Sequence, residues 1–495
     1  MIPEEVLADI LLLYIDLAVR DPVFTVSAQY FDKTPRRLYR WIQVTQVCRY
    51  WRGISLSYPR MWGHIIINRP EMAEECLKRS GCSPLYIWRF GRSRLSEKED
   101  RVIQLALGHL SRIQDIRFST ADRDFSSTWF PREGSEPLSA ASLTSLNLDT
   151  SGYCTGLLEY LSDLKPPRLR HLELYGCDNH TWLLTPIPPS LRFFKVTITQ
   201  TRVHRGIETI DTPDQYRYLE SLHIITNSMS FIFPPANNFQ PQPRFSSLKY
   251  LFIHCYLVED IYRGIQLLKF PPDAQVRVSA GHGVPSLGRL SELCGWSTCR
   301  SLAIKAWPER DTFSVCGWTE RLTTARIQHG QISPLCAFTC RITQSDTTRF
   351  LFTLEQVLPK VQTMVFAQCG EGKDPGRLFA KVASLLPEVS QIGFIGKVEC
   401  LDDVLQVMSR HATCLVIQPA QWSPEISDTI IRFLDLERSY EEGVRLSRLE
   451  IPDTAHKESI TALQTLAGEV VAVRPIPLQM QEKRDVFYDG ATPLL

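Results

Sequence analysis

Residues 169–177 read Leu169-Arg170-His171-Leu172-Glu173-Leu174-Tyr175-Gly176-Cys177, a Leu-x-x-Leu-x-Leu unit closed by x-x-Cys. Its final Leu-x-Leu alternates apolar and polar positions, the pattern of a short strand with one buried face. The spacing recurs on both sides. N-terminal to it stand Ile113-x-x-Ile116-x-Phe118 and Leu143-x-x-Leu146-x-Leu148. C-terminal to it follow Leu191-x-x-Phe194-x-Val196, Leu219-x-x-Leu222-x-Ile224-x-x-Asn227 and Leu248-x-x-Leu251-x-Ile253. The later half carries Cys299-x-x-Leu302-x-Ile304, Val361-x-x-Met364-x-Phe366-x-x-Cys369, Val389-x-x-Ile392-x-Phe394, Ala412-x-x-Leu415-x-Ile417 and Leu446-x-x-Leu449-x-Ile451. Weaker copies lie at Val276-Arg277-Val278 and Leu322-x-x-Ala325-x-Ile327.

The first six copies start at 113, 143, 169, 191, 219 and 248, giving gaps of 30, 26, 22, 28 and 29 residues. The period and the motif resemble leucine-rich repeats, in which each unit buries its apolar face only against its neighbours. The resemblance implies an irregular solenoid over residues 81–478 with a curved parallel sheet. Return segments at 153–164, 378–386, 401–411 and 425–438 read as helical or irregular. The stretch between 322 and 361 is too long for one unit and is expected to hold an extra strand or loop. Pro186–Pro189, Phe233–Pro243 and Phe270–Pro272 read as loops, because Pro disfavours helix continuation and ladder pairing. The tail, residues 479–495, has lost the period. Ordinary α/β domains with coincidental Leu spacing are the competing reading.

The first 65 residues follow different rules. Apolar residues at 6, 7, 10, 11, 13, 14 and 17 give a helical spacing. Pro3 suits the first turn, and Glu4 and Glu5 suit the positive end of the helix dipole. Residues 20–40 are polar, with Pro22, Pro35 and Arg36-Arg37, and read as an insertion. A second helix is expected over Trp41–Ile54, striped by Val44, Val47, Cys48, Trp51 and Ile54, and Pro59-Arg60-Met61-Trp62 follows. The sequence Pro3-Glu4-Glu5-Val6-Leu7-x-x-Ile10-Leu11, then Val44-x-x-Val47-Cys48-Arg49-x-Trp51-Arg52-x-Ile54, then Pro59-Arg60-Met61-Trp62 resembles the F-box of proteins common in mushroom-forming fungi. It departs at Ile2, where Leu is usual.

That resemblance implies a small trihelical F-box over residues 1–65, a linker over 66–80 and the repeat body beyond. It also implies a partner, the Skp-type adaptor of cullin–RING ubiquitin ligases. Carried over residue by residue, the adaptor-facing set is Pro3, Leu7, Ile10, Leu11, Val44, Val47, Cys48, Trp51 and Trp62. About half of these are expected to pack inside the unit instead, with Ile10, Ile54 and Trp62 the leading candidates. A unit of this size buries little surface alone, so a partner covering its apolar face is physically reasonable.

Composition narrows the rest. The 55 basic and 54 acidic residues nearly cancel, which removes the electrostatic case for a dedicated nucleic-acid binder. No segment reaches the ~20 apolar residues that cross a bilayer. The acidic opening Met1-Ile2-Pro3-Glu4-Glu5 lacks the positive start of a secretory signal, so a cytoplasmic or nuclear protein with reduced thiols is expected. The 14 cysteines contain no C-x-x-C pair, which speaks against structural zinc. No GxSxG, HExxH or GxxxxGK(S/T) occurs. Gly370-Glu371-Gly372-Lys373 lacks phosphate-loop spacing and reads as a turn, as does Gly281-His282-Gly283. The charge run Arg92–Asp100 reads as a solvated loop. No enzyme, cofactor or metal is expected.

Residues alternating with the strand leucines should point away from the core: Arg117, Asn147, Glu173, Tyr175, Lys195, His223, Phe252 and His254. Aromatic and Arg side chains anchor protein interfaces, so Tyr175, His223, Phe252 and His254 are the candidates for holding a target. The expected function is substrate recognition within a Skp–cullin–F-box ubiquitin ligase. The alternative is a non-catalytic scaffold that acts without ubiquitination.

Overall fold

The computed structural model describes residues 2–20, 39–91, 94–120, 140–150, 166–178, 188–200, 216–226, 245–257, 273–282, 299–307, 312–320, 336–341, 360–368, 382–386, 388–396, 412–419, 422–438, 446–452 and 457–473, with the single positions 261, 265, 268, 270, 271, 379, 401, 405 and 455. The chain is a mixed α/β protein built on parallel strands. It divides into two compact units. The first comprises Met1–Thr226, Phe231–Leu248 and Val486–Leu495, and the second Asn227–Ser230 and Lys249–Asp485.

The first unit opens with α1 (Glu4–Arg20), a 3-10 helix (Arg40–Gln46), α2 (Arg49–Ser57) and a short 3-10 turn (Pro59–Gly63). Then come β1 (His64–Ile66), α3 (Pro70–Arg79), β2 (Leu85–Arg89) and α4 (Glu97–Leu107). After these, β3 (Ile113–Thr120), β4 (Ser145–Thr150), β5 (His171–Asp178), β6 (Phe193–Gln200) and β7 (Ser221–Thr226) follow in order. All seven pair in parallel, each with its sequence neighbours. Like motif positions therefore lie side by side: Ile116, Leu146, Leu172, Phe194 and Leu222 form one buried column, and Phe118, Leu148, Leu174, Val196 and Ile224 another.

One device starts each unit of the ladder. The backbone N–H of Leu143, Leu169, Leu191, Leu219 and Leu248 closes a turn on the carbonyl three residues earlier, at Ala140, Pro166, Pro188, Tyr216 and Phe245. The next N–H then joins the preceding strand: Thr144 to Gln114, Arg170 to Thr144, Arg192 to Arg170 and Glu220 to Arg192. Ala140, Tyr216 and Phe245 are themselves buried, and the Tyr216 and Phe245 rings lie 5.2 Å apart. The repeated unit is therefore three residues longer at its N-terminal end than the Leu-x-x-Leu-x-Leu pattern.

The second unit holds β8 (Tyr250–Leu257), β9 (Gln275–His282), β10 (Ser301–Trp307), β11 (Thr312–Trp318) and β12 (Cys336–Arg341). It continues with β13 (Thr363–Gln368), β14 (Gln391–Gly396), β15 (Cys414–Pro419), α5 (Pro424–Arg438), β16 (Arg448–Pro452), α6 (Lys457–Gln464) and β17 (Val470–Val473). The strands stand in the order β8-β9-β12-β11-β10-β13-β14-β15-β16-β17. Here β11 runs antiparallel to both β10 and β12, and every other pair is parallel. The chain passes over two positions to lay down β10 and then returns to fill them. β12 is the extra strand expected between 322 and 361. The copy at Leu322 lies outside the described residues, as do the segments 153–164 and 370–373.

Several expectations are corrected. Residues 66–80 are not a linker. Ile65, Ile66 and Ile67 are fully buried, and β1 pairs with β2. Pro70 opens α3 at a position where its missing N–H costs nothing. The expected boundary at residue 65 therefore falls inside one compact unit. The helix expected over 41–54 is broken, because Cys48 adopts an extended backbone and its Sγ accepts the Trp51 N–H at 3.4 Å. The charge run from Arg92 becomes a helix at Glu97, where Ser96 and Glu99 form a reciprocal capping box. Gly281 and His282 end strand β9 rather than forming a turn.

The outer edge of β1 is closed by a side chain. The Tyr39 hydroxyl accepts the Ile66 N–H at 2.9 Å and donates to the Ile66 carbonyl at 3.3 Å. Those are the backbone groups facing away from β2, so the phenol replaces one strand residue and blunts the edge. Beneath it the buried Cys76 thiol is pushed up to about 12, chiefly by desolvation.

Gly63 shows how tightly this corner is built. A Cβ there would stand 2.4 Å from the Pro84 carbonyl oxygen, which is backbone and cannot turn aside. Gly63→Ala is expected to destabilise the chain by about 1–3 kcal/mol, measured as a fall in the urea midpoint at unchanged slope. An unchanged midpoint contradicts this packing.

Candidate functional site

Two surfaces of the first unit combine exposure with chemistry. The first is α1. Leu7, Ala8, Leu11 and Ile15 point inward and are essentially fully buried. On the opposite side Ile2, Val6, Ile10 and Leu13 are exposed, Ile10 at 48% and Leu13 at 61%, with Tyr14 exposed beside them. At about 100° per residue, positions 6, 10 and 13 share one stripe and 7, 11 and 15 the other, with Ile2 just ahead of the helix. The helix is thus apolar on two sides, and the rest of the unit covers one. The 3-10 helix and α2 pack on α1, and Val47 between them is 60% exposed. The Tyr50 hydroxyl donates to the Ile2 carbonyl at 2.7 Å, tying α2 to the start of the stripe.

The residues that the F-box resemblance assigns to the adaptor separate accordingly. Pro3, Ile10, Val47 and Cys48 are exposed, and Val44 and Trp51 are half-buried. Leu7, Leu11 and Trp62 are buried and offer no surface. Trp62 donates its indole N–H to the Ser55 carbonyl at 2.8 Å, and the Arg79 guanidinium lies 4.7 Å over its ring. Ile54 packs inside as expected, whereas Ile10 does not. Ile2, Val6, Leu13 and Tyr14 are not in the set that the resemblance supplies. Their signal is nevertheless in the sequence, because a helix carrying two apolar stripes must leave one of them uncovered on a small unit.

The second surface is the polar face of the parallel ladder. Register places Trp88, Arg117, Asn147, Glu173, Lys195 and His223 in one row across β2–β7. Tyr86, Asp115, Ser145, His171, Phe193 and Ser221 form the row beside it. Glu173 is the hub and is only 7% exposed. Its Oε1 receives His171 Nε2 at 2.7 Å. Its Oε2 receives the Tyr175 hydroxyl at 2.8 Å and Asn147 Nδ2 at 3.2 Å, with Lys195 Nζ at 3.6 Å. Burial alone would raise the Glu173 carboxyl. The His171 hydrogen bond, the Lys195 charge and the Tyr175 hydroxyl together outweigh it and bring the group down to about 2. Burial and the Glu173 charge push the Tyr175 phenol well up.

The alternation places Glu173 and Lys195 on the face away from the strand leucines. They do sit on that polar face, but neighbours in the row bury them, and a buried pair persists because each charge is matched. What this face presents instead is a ring cluster. His171 stacks on Phe193 at 4.2 Å with 3° between planes, and His223 meets Phe193 edge-on at 4.9 Å. Of the four target-facing candidates, Tyr175 and His223 belong to this unit and both are half-buried. Phe252 and His254 belong to the second unit, also half-buried. There His254 Nδ1 lies 3.0 Å from Ser279 Oγ, and burial lowers the imidazole's pKa. Among the described residues no group of three His, Cys, Asp or Glu side chains is arranged to hold a metal ion, and no helix is long and apolar enough to cross a membrane.

The Glu173 shift has a defined pH consequence. Its folded pKa lies below the ordinary carboxylate value of 4.5. Its stabilisation is therefore present above that value and is lost as pH falls toward about 2. Glu173→Gln leaves Lys195 buried without its counter-charge, so it is expected to cost about 3 kcal/mol at pH 7. It should also flatten the acid limb of the stability profile, read by urea unfolding across the acid range. An acid limb as steep as the native one would show that Glu173 is not the hub.

Compared with known proteins, the chain matches no family model and no curated protein.

Proposed function

We propose that this chain is the substrate-recognition subunit of a Skp–cullin–F-box ubiquitin ligase. Residues 1–65 act as the F-box that binds the Skp-type adaptor, and the repeats bind a protein target. The observation that carries the reading is the exposed stripe Val6, Ile10 and Leu13, preceded by the exposed Ile2, on a helix whose other side is already packed. Contiguous exposed apolar surface marks a contact site, and it falls on the helix where the F-box resemblance puts the adaptor. The in-register parallel strands at intervals of 22–30 residues support reading the rest as an irregular leucine-rich-repeat solenoid. The polar face with its His171–Phe193–His223 rings is the surface offered to the target.

In this function no residue of the chain performs chemistry. The adaptor places the target beside a ubiquitin-charged enzyme, and the tether raises the effective concentration of the target's lysines around that donor. The corrected contact set is Ile2, Pro3, Val6, Ile10, Leu13, Tyr14, Val44, Val47, Cys48 and Trp51. Leu7, Leu11 and Trp62 support it from within.

Replacing Ile10 and Leu13 with Asp removes two exposed apolar side chains without opening the core. Adaptor affinity is expected to fall about 100-fold or more, while stability stays within about 0.5 kcal/mol. Co-purification with a fungal Skp-type adaptor and a thermal melt measure both. Failure of the native chain to bind, or equal binding by the double variant, overturns the reading. Recovery of the adaptor without any cullin would point to a scaffold that acts without ubiquitination.

A further inference from the structure

The turns that lead into β5, β6 and β7 span residues 166–170, 188–192 and 216–220. Their charged residues are Arg168, Arg170, Arg192 and Arg217 against a single acid, Glu220. In a chain whose net charge is only +1, this edge of the sheet concentrates positive charge locally. It is also open to solvent. Arg168, Arg170 and Arg217 are exposed, the Arg192 side chain is 43% exposed, and Tyr218 among them is 40% exposed.

Register brings these cations together. The Arg170 carbonyl accepts the N–H groups of Arg192 and Phe193 at 3.0 and 2.9 Å, so Arg170 and Arg192 begin adjacent strands about 4.8 Å apart. Arg192 Nη1 donates to the Tyr218 carbonyl at 3.4 Å, and its guanidinium lies 5.5 Å over the Tyr218 ring. The Arg217 guanidinium lies over the same ring at 4.5 Å. Counter-charge is scarce. Glu220 stands 3.6 Å from Arg192, and among the described residues Arg168, Arg170 and Arg217 form no ion pair. Like charges held this close repel, and an anion from outside the chain offsets that repulsion.

We infer that Arg168, Arg170, Arg192 and Arg217 form a docking edge for an acidic segment, rich in Asp and Glu, of the protein that the repeats bind. The inference deepens the target-binding reading and rests on it for the identity of the ligand as a protein. The edge adjoins the ring cluster, because Arg170 and Arg192 immediately precede His171 and Phe193. Guanidinium forks match carboxylates and bind them more strongly than neutral donors do. Nucleic acid fits the edge less well. The patch spans three turns, about 10 Å at strand spacing, rather than the long basic stripe that tracks a phosphate backbone. Two guanidiniums already lie over the Tyr218 ring, so it is not a bare platform for stacking a base.

The test needs neither adaptor nor target, so its outcome is independent of whether the chain assembles into a ligase. The full chain is titrated into fluorescein-labelled hexaglutamate at constant ionic strength, and binding is read by anisotropy. Hexaglutamine and hexathymidylate with the same label are titrated alongside. Saturable binding of hexaglutamate is expected, with none for hexaglutamine and weaker binding for hexathymidylate. Arg170→Gln with Arg217→Gln should weaken hexaglutamate about tenfold. Arg101→Gln, which removes an exposed arginine from α4, should leave it unchanged. Absence of saturation, hexathymidylate binding as tight as hexaglutamate or tighter, an unchanged affinity in the double variant, or an equal loss in Arg101→Gln overturns the proposal. The comparison of the three ligands is made on the native chain and stands even if the double variant fails to fold.

Discussion

In a parallel ladder held in register, like positions lie over like positions, and most of the structure follows from that. Aligning Leu146, Leu172, Phe194 and Leu222 buries a column of apolar side chains on one face. The same alignment forces Arg117, Asn147, Glu173, Lys195 and His223 into a continuous polar row on the other. Neighbouring strands stand about 4.8 Å apart, so charges in that row cannot avoid one another. Glu173 resolves the crowding by taking His171, Tyr175, Asn147 and Lys195 around one carboxylate. The polar row is thus a consequence of the apolar columns, and its chemistry is what the fold can offer a partner.

The same logic explains the first strand. A ladder needs an end, and an open strand edge invites unwanted pairing. The N-terminal segment supplies that end: β1 adds to β2, the Tyr39 hydroxyl answers the outward backbone of Ile66, and Asn68 bridges the N–H and carbonyl of Phe90. The buried Arg89 occupies a core-facing position at the end of β2 and donates to the carbonyls of Gly91, Ser119 and Arg94, with Glu99 of α4 3.5 Å away. The helix bearing the exposed stripe packs on α2, the 3-10 helix at Arg40–Gln46 and the Pro59–Gly63 turn, and that turn leads directly into β1.

Much of the architecture is legible in the sequence because the physics is local and periodic. The motif copies from Ile113 to Leu446 that lie among the described residues fall on strands, since an alternating Leu-x-Leu has little else to become. The apolar position three residues before each first Leu escapes the motif, though Tyr216 and Phe245 are large and visible in sequence. The antiparallel return through β11 is not readable, because strand direction within a sheet leaves no mark on alternation. Short runs of continuous apolar residues also mislead. Ile65-Ile66-Ile67 reads as a motif end and the start of a linker, although such a run is also the signature of a fully buried strand. In the site, periodicity identifies α1 but not which stripe faces out. That depends on where β1 and the turn at Trp62 come to rest, which is a tertiary fact. The Glu173 hub is hidden for a similar reason, since its donors come from three neighbouring strands brought together by register.

Whether the outer stripe of α1 is a binding surface for a Skp-type adaptor is tested most directly by hydrogen exchange of the full chain, measured with and without that adaptor. Slowed exchange is predicted over residues 4–20 and 42–57, with the sheet face at β4–β6 unaffected. Unchanged exchange on α1, or protection confined to the sheet, would contradict it.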